Sequence, residues 1–248
     1  MNLKLKKKME KIQNKKGMGH VEMIISFVIF ISFVIFILVF FNPFKKAPTT
    51  SSLELIEERI IKHVSTNLTT FSLKINFSAY AEISSESCFF IDYITDENLI
   101  MKNEQGTVIS AKIESSELYF ENSGEFYKAY LSEELGENDL GGGCYKISEE
   151  DYTKGVTRFY KKVSSSKLDD FFQEYNLNEE SYKQLKQNLN IINDFSVIIT
   201  DNSGTVMDDF EGTRDKPDAV EVAAKNIPIE ILDENASLNP AVMNIQTW

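Results

Sequence analysis

Cys88 and Cys144 are the only cysteines of this 248-residue chain, and His20 and His63 its only histidines. Four such residues cannot build a multi-ligand zinc site, an iron–sulfur cluster or a dense disulfide scaffold. Two cysteines separated by 56 positions can close one long loop. On an oxidising side of a membrane an even count favours that bridge, with a pair of free buried thiols as the alternative. His63 reads as a structural histidine on a helix, and His20 stands beside a long apolar run, away from any partner. No serine sits in a Gly-x-Ser-x-Gly turn. Gly141-Gly142-Gly143 lacks the lysine and the strand-to-helix context of a phosphate loop and reads as a flexible break. Asp201-Asn202-Ser203-Gly204 has its glycine in the wrong place for a calcium loop and no closing glutamate. Asp208, Asp209, Glu211, Asp215 and Asp218 could hold calcium weakly, but a solvated acidic face explains them as well. The expectation is a chain with no catalytic site, no metal site and no cofactor.

Charge is distributed in two regimes. The net charge is −12, yet residues 1–16 hold seven lysines and one acid, a net of +6, leaving −18 on residues 18–248. A net acidic domain disfavours nucleic acid as a partner. Between the two regimes, Met23 to Phe41 is a run of 19 uncharged residues in which only Ser26 and Ser32 are polar. A helix of that length reaches about 28 Å, close to the hydrocarbon thickness of a bilayer. The lysines should keep its N-terminal side cytoplasmic and place the acidic part outside, which makes lipid the first partner. A cleaved secretory signal fits less well, because its apolar stretch is shorter and ends at a small-residue site, whereas Asn42-Pro43-Phe44-Lys45-Lys46 follows here.

The residues just before the run are more specific: Lys15-Lys16-Gly17-Met18-Gly19-His20-Val21-Glu22. A basic pair, a glycine, and a glutamate five positions past it at the start of an apolar helix resemble the class III signal of type IV prepilins. The wording of residues 15–43 is similar to archaeal members of that family in particular. The resemblance implies cleavage after Gly17 by a prepilin peptidase on the cytoplasmic side, with Met18 as the new N-terminus and Lys15 and Lys16 left on the leader. It further implies that Glu22 meets the freed amine of a neighbouring subunit, serving as a registry device for stacking helices. The physical setting agrees with such a role, since a carboxylate near hydrocarbon is disfavoured by a few kcal/mol unless it finds a partner. Met18 departs from the phenylalanine usual in bacterial members. Phe27, Phe30, Phe33, Phe36 and Phe40 spread over half the helix circumference and define no packing stripe. The function this implies is a minor or tip subunit at the cell surface, not an enzyme. Its partners would be other pilin-like subunits and an assembly platform. The other reading is an uncleaved single-pass protein whose outer domain binds or senses something.

The remaining elements follow from pattern. Residues 1–17 form the leader, 18–43 the transmembrane helix, 44–52 a stalk, and 53–248 an outer domain. Ser52 ahead of Leu53, Leu55, Ile56, Ile60 and Ile61 predicts a serine-capped amphipathic helix over about 53–66. Strands are expected from about 70, where Phe71, Leu73, Ile75 and Phe77 alternate. They continue as Cys88–Ile91, Leu99–Met101, Val108–Ile113, Leu118–Phe120 and Phe126–Leu131, a meander with hairpin turns at Asn103–Gly106 and Asn122–Gly124. Ser166 and Asn178 open two short helices, over roughly 167–175 and 179–189. Strands return at Phe195–Thr200, Thr205–Phe210, Val220–Ala224, Ile227–Leu232 and Ala241–Trp248. The fold class is therefore α+β: a single N-terminal helix, then a mostly antiparallel domain with an inserted helical pair. Asn67-Leu68-Thr69, Asn76-Phe77-Ser78 and Asn235-Ala236-Ser237 match the glycosylation sequon, a pattern met by chance in so asparagine-rich a chain.

Overall fold

The computed structural model describes residues 20–37, 50–76, 86–136, 139–140, 143–217 and 220–248. The chain divides into two units, Met1–Ala47 and Pro48–Trp248. Within the first, α1 spans His20–Ile37. The second is an α+β domain in which a ten-stranded sheet and a four-stranded sheet enclose the core.

Helix α2 (Thr50–Val64) opens the domain. It begins three residues earlier than the sequence predicts and takes Ser52 into its first turn, so Ser52 is not its cap. Leu53, Ile56, Ile60 and Val64 recur at helical spacing and are all buried in the core. Each contributes about 1.5–3 kcal/mol by leaving water, which is why this helix packs on the domain instead of prolonging a stalk. It ends at Val64 because strand β1 (Ser65–Ile75) starts at once, five residues ahead of the expected onset. Residues 65–70 are buried on both faces except at Asn67, so the alternation that marks residues 71–75 is missing there.

Strands β2 (Cys88–Asp92) to β7 (Phe126–Ser132) depart from the expected meander. The stretch 108–113 is two strands, β4 (Val108–Ile109) and β5 (Ala111–Glu114), divided at Ser110 between the two sheets. β4 pairs with β3 (Asn98–Asn103), whereas β5 pairs with β6 (Glu117–Glu121). Asn122–Gly124 is accordingly no hairpin turn but a crossing from β6 in the small sheet to β7 in the large one. The actual β5–β6 turn is Ser115-Ser116, with φ of 53° and 66°, a left-handed pair that serines rarely adopt and that no glycine announces. Asn103–Gly106 does turn as expected, with Gly106 at φ 80°.

Three strands, β8 (Tyr145–Lys146), β9 (Tyr152–Lys154) and β10 (Arg158–Ser164), carry no readable alternation, being largely exposed. Helices α3 (Ser165–Leu177) and α4 (Glu179–Asn188) form the inserted pair. Asn178 caps α4 as predicted, its side chain accepting from the Ser181 N–H at 2.9 Å. Ser164, not Ser166, caps α3. Strands β11 (Phe195–Asp201), β12 (Val206–Gly212), β13 (Ala223–Leu232) and β14 (Leu238–Thr247) complete the large sheet. The two strands expected at 220–224 and 227–232 are one: β13 runs unbroken through Pro228. It can, because β10 meets β13 only at Val163↔Ile231 and Ser164↔Leu232, so the N–H that proline lacks is not missed on that side.

The large sheet runs β12-β11-β14-β13-β10-β1-β7-β3-β4, with β9 on β1, and the small one β5-β6-β2-β8. All pairings are antiparallel except β10 with β13 and β2 with β8. Ser65 faces Val163 across the β1–β10 ladder, and Phe71 lies six residues further on, so Val163 and Phe71 share a face. Val163 belongs to the core under the helices and Phe71 to the core under the small sheet. Helices and small sheet thus cover one face side by side. On the other face only a small cluster forms, of Leu68, Ile100, Leu135, Leu232 and Ala236.

Candidate functional site

The first candidate is α1. Its 18 residues reach about 27 Å, and its apolar side chains point outward on every side: Met23 is 72% exposed, Ile24 64% and Phe27 64%. A helix apolar all round is stable only when something apolar surrounds it. None of the 18-residue window is buried within the chain. By length and composition α1 is a signal sequence or a single membrane anchor. Glu22 lies exposed near the N-terminal end of the described part of α1, where a carboxylate complements the helix dipole. Lys15, Lys16, Gly17 and Met18 lie outside the described residues.

The second is the bridge. Cys88, the first residue of β2, is bonded to Cys144, which directly precedes β8, with 4.7 Å between Cα atoms. β8 holds to β2 through two residue pairs only, Phe89↔Tyr145 and Phe90↔Lys146. The disulfide fixes what so short a parallel ladder would hold weakly. Such a bond persists in an oxidising compartment and belongs with a domain outside the cytoplasm.

The sequons fall in different settings. Asn67 is exposed on β1, opposite Lys161 of β10. Asn76 follows β1, its N–H donating to the Asp151 carbonyl at 2.8 Å, and Phe77 and Ser78 lie outside the described residues. Asn235 is exposed at the tip of the β13–β14 turn. There Asp233 accepts from the N–H groups of Asn235 and Ser237 at 3.0 and 2.7 Å.

The acidic candidates are occupied with local structure. Asp201 Oδ1 accepts from the Ser203 hydroxyl at 2.6 Å and from the N–H groups of Ser203 and Thr205 at 2.8 and 2.9 Å. The serine hydroxyl first, then the Thr205 N–H, hold this carboxyl below its usual range. Its lone pairs close the β11–β12 turn. Asp209, Glu211 and Asp215 are exposed, and Asp218 lies outside the described residues. Among the described residues no group of three or more His, Cys, Asp or Glu side chains could hold a metal ion. His63 is exposed on α2 and meets the Phe171 ring edge-on at 6.3 Å.

Two clusters had no signature in the sequence. Glu134, Ser164, Ser166 and Lys167 join the loop after β7 to the start of α3. Lys74, Lys102 and Lys128 stand on β1, β3 and β7, and only the pairing of those strands brings them together. Exposed lysines at alternate strand positions are a signal, but one shared by many solvated strands. No protein-family model, no curated protein and no solved structure matches this chain.

Proposed function

We propose that this chain is a type IV pilin-like surface subunit, minor or terminal in position and without enzymatic activity. It is cut after Gly17 by a prepilin peptidase and held or assembled through α1. The observation that carries the reading is the placement of Glu22 near the start of the described part of an uncovered apolar helix, five residues past a glycine that follows Lys15-Lys16. A carboxylate near hydrocarbon is costly unless it finds a partner, and a helix that stacks against copies of itself gains a registry point from it. The leader stays cytoplasmic, the disulfide-bonded domain lies outside, and neighbouring pilin-like subunits and an assembly platform are the partners.

The test is the mature N-terminus. Intact mass of the membrane-extracted native protein should show a chain starting at Met18, and a Gly17→Val variant should retain the leader. A wild-type chain that keeps its lysine-rich leader would sink the prepilin reading and leave a single-pass anchored domain that binds or senses.

A further inference from the structure

Away from the helices and the small sheet, the ten-stranded sheet has an open face, and strand register shows which side chains share it. Thr70 of β1 lies opposite Arg158 on one side and Tyr130 on the other. One step along that face, Ser72 lies opposite Lys128, which in turn faces Lys102 of β3. One step further, Lys74 lies opposite Phe126. Alternate residues of a strand point the same way, so Lys74, Lys102, Lys128 and Arg158 stand together among Phe126 and Tyr130. Lys74, Lys128 and Arg158 are exposed and Lys102 half-buried.

The aromatic rings hold the ammonium groups in place. Lys74 Nζ lies 5.1 Å from the centre of the Phe126 ring, and Lys102 and Lys128 lie 5.3 and 4.9 Å from that of Tyr130. Lys102 also donates to the Ala236 carbonyl at 3.0 Å. Lys102, Lys128, Phe126 and Tyr130 line a depression of about 460 Å³, whose lining holds a single carboxylate, that of Glu104. Among the described residues none of the four cations makes a salt bridge. Like charges directly opposite on neighbouring strands, as Lys102 and Lys128 are, oppose the pairing that carries them. Yet carboxylates are plentiful: residues 48–248 carry 17 basic and 36 acidic side chains, a net of −19.

That imbalance identifies the occupant. The domain as a whole is acid-rich, and β12 is the edge strand at the far end of the same sheet. There Asp169, Asp170 and Asp209 crowd one another. Burial, then Asp209 and Asp170, push the Asp169 carboxyl up. A basic area and an acid-rich area at opposite ends of one domain are complementary between two copies. Because the two areas differ, the contact is heterologous, the basic area of one copy meeting the acidic area of the other.

We propose that the open sheet face around Lys74, Lys102, Lys128 and Arg158 docks the acidic surface of a second copy of this chain in a head-to-tail contact. The contact lies in the outer domain and does not depend on cleavage after Gly17.

The experiment is sedimentation of the full-length chain in detergent, in a series from about 0.05 to 0.5 M salt, across which screening of exposed charges becomes nearly complete. Wild type is compared with Lys74→Glu/Lys128→Glu and Lys74→Arg/Lys128→Arg, each also made with Glu22→Gln to remove helix-borne association. Near-ultraviolet circular dichroism checks that each variant is folded. The expected result is self-association that weakens at least tenfold across the salt series, is lost in the glutamate variant and is kept in the arginine variant, in both backgrounds. Association that ignores salt, or that survives charge reversal, overturns the proposal. So does a wild type that stays monomeric throughout the series, and binding of polygalacturonate by the same lysines would then make the occupant an acidic polymer. A leader left uncut bears on the prepilin reading and leaves this result standing.

Discussion

The Glu134 carboxylate lies 3.2 Å from the Lys167 ammonium, while its other oxygen accepts from the hydroxyls of Ser164 and Ser166. Ser164 is at the same time the cap of α3, accepting from the Lys167 N–H at 3.4 Å. Lys167 Nζ donates as well to the Ser65 carbonyl at 3.3 Å, at the α2–β1 junction. One carboxylate thus ties the end of β7 to the start of α3, and its negative charge sits where the helix N–H groups favour it.

Burial alone would push the Glu134 carboxyl up, but the bonds from Ser166 and Lys167 outweigh it and hold the carboxyl below its usual 4.5. A carboxylate whose folded pKa is depressed stabilises the fold fully above its unfolded pKa. That contribution is lost as the pH falls through the folded value. Glu134→Gln should therefore cost about 1–2 kcal/mol at neutral pH, and urea unfolding in acid should show the difference from wild type closing. A difference that persists undiminished in acid would mean that the charge is not what acts.

Reducing the Cys88–Cys144 bond, which closes a loop of 56 positions, should lower stability by about 4 kcal/mol in the chain-entropy account. A Cys88→Ser/Cys144→Ser chain should show the same loss without reductant. Hydrogen exchange should place the first opening at β2 and β8, since two residue pairs are all that otherwise join them.

Gly212, at the end of β12, lies beneath the ring of Tyr175. A β-carbon there would come within 2.9 Å of two of that ring's carbons and 3.2 Å of Phe172. The ring cannot retreat easily: its hydroxyl donates to the Phe195 carbonyl at 2.5 Å and the Arg214 guanidinium lies 5.1 Å from its centre. Gly212→Ala should cost about 1–3 kcal/mol through overpacking, read as a lower midpoint in thermal unfolding. A neutral substitution would show that the helix pair slides freely on the sheet.

Tyr175 and Tyr182 meet at 5.1 Å between ring centres under that same guanidinium. Burial is the main cause that pushes the Tyr175 hydroxyl up to about 12, and it raises Tyr182 as well. A raised pKa contributes stability that is complete below the unfolded value of 10 and is lost as the pH rises through the folded one. Spectrophotometric titration should show these two tyrosines ionising only with alkaline unfolding, and Tyr182→Phe should flatten the loss of stability above pH 10. Free ionisation of every tyrosine in the folded chain would contradict this.

How much of the protein was legible in advance depended on the range of the interaction. Local signals are legible: the apolar run of α1, the Leu53, Ile56 and Ile60 stripe of α2, the Asn178 cap and the Gly106 turn. Each depends on a few neighbouring residues whose backbone preferences or spacing suffice. The Cys88–Cys144 bond is legible for the same reason: a single cysteine pair leaves few options.

What the sequence could not determine was partnership between strands. Whether Ser110 continues a strand or divides it between two sheets, and whether Pro228 breaks β13, depended on which strand lies alongside and where that strand ends. Residues 65–70 hid their strand because both faces are covered, and β10 hid because most of it is covered by nothing. The meeting of Lys74, Lys102 and Lys128 on one face, and of Glu134 with Lys167, joins residues 26 to 54 positions apart. Composition and periodicity determined that this chain has an apolar helix and an acidic α+β domain. Only the tertiary structure, by fixing strand order and register, decided which charges are neighbours.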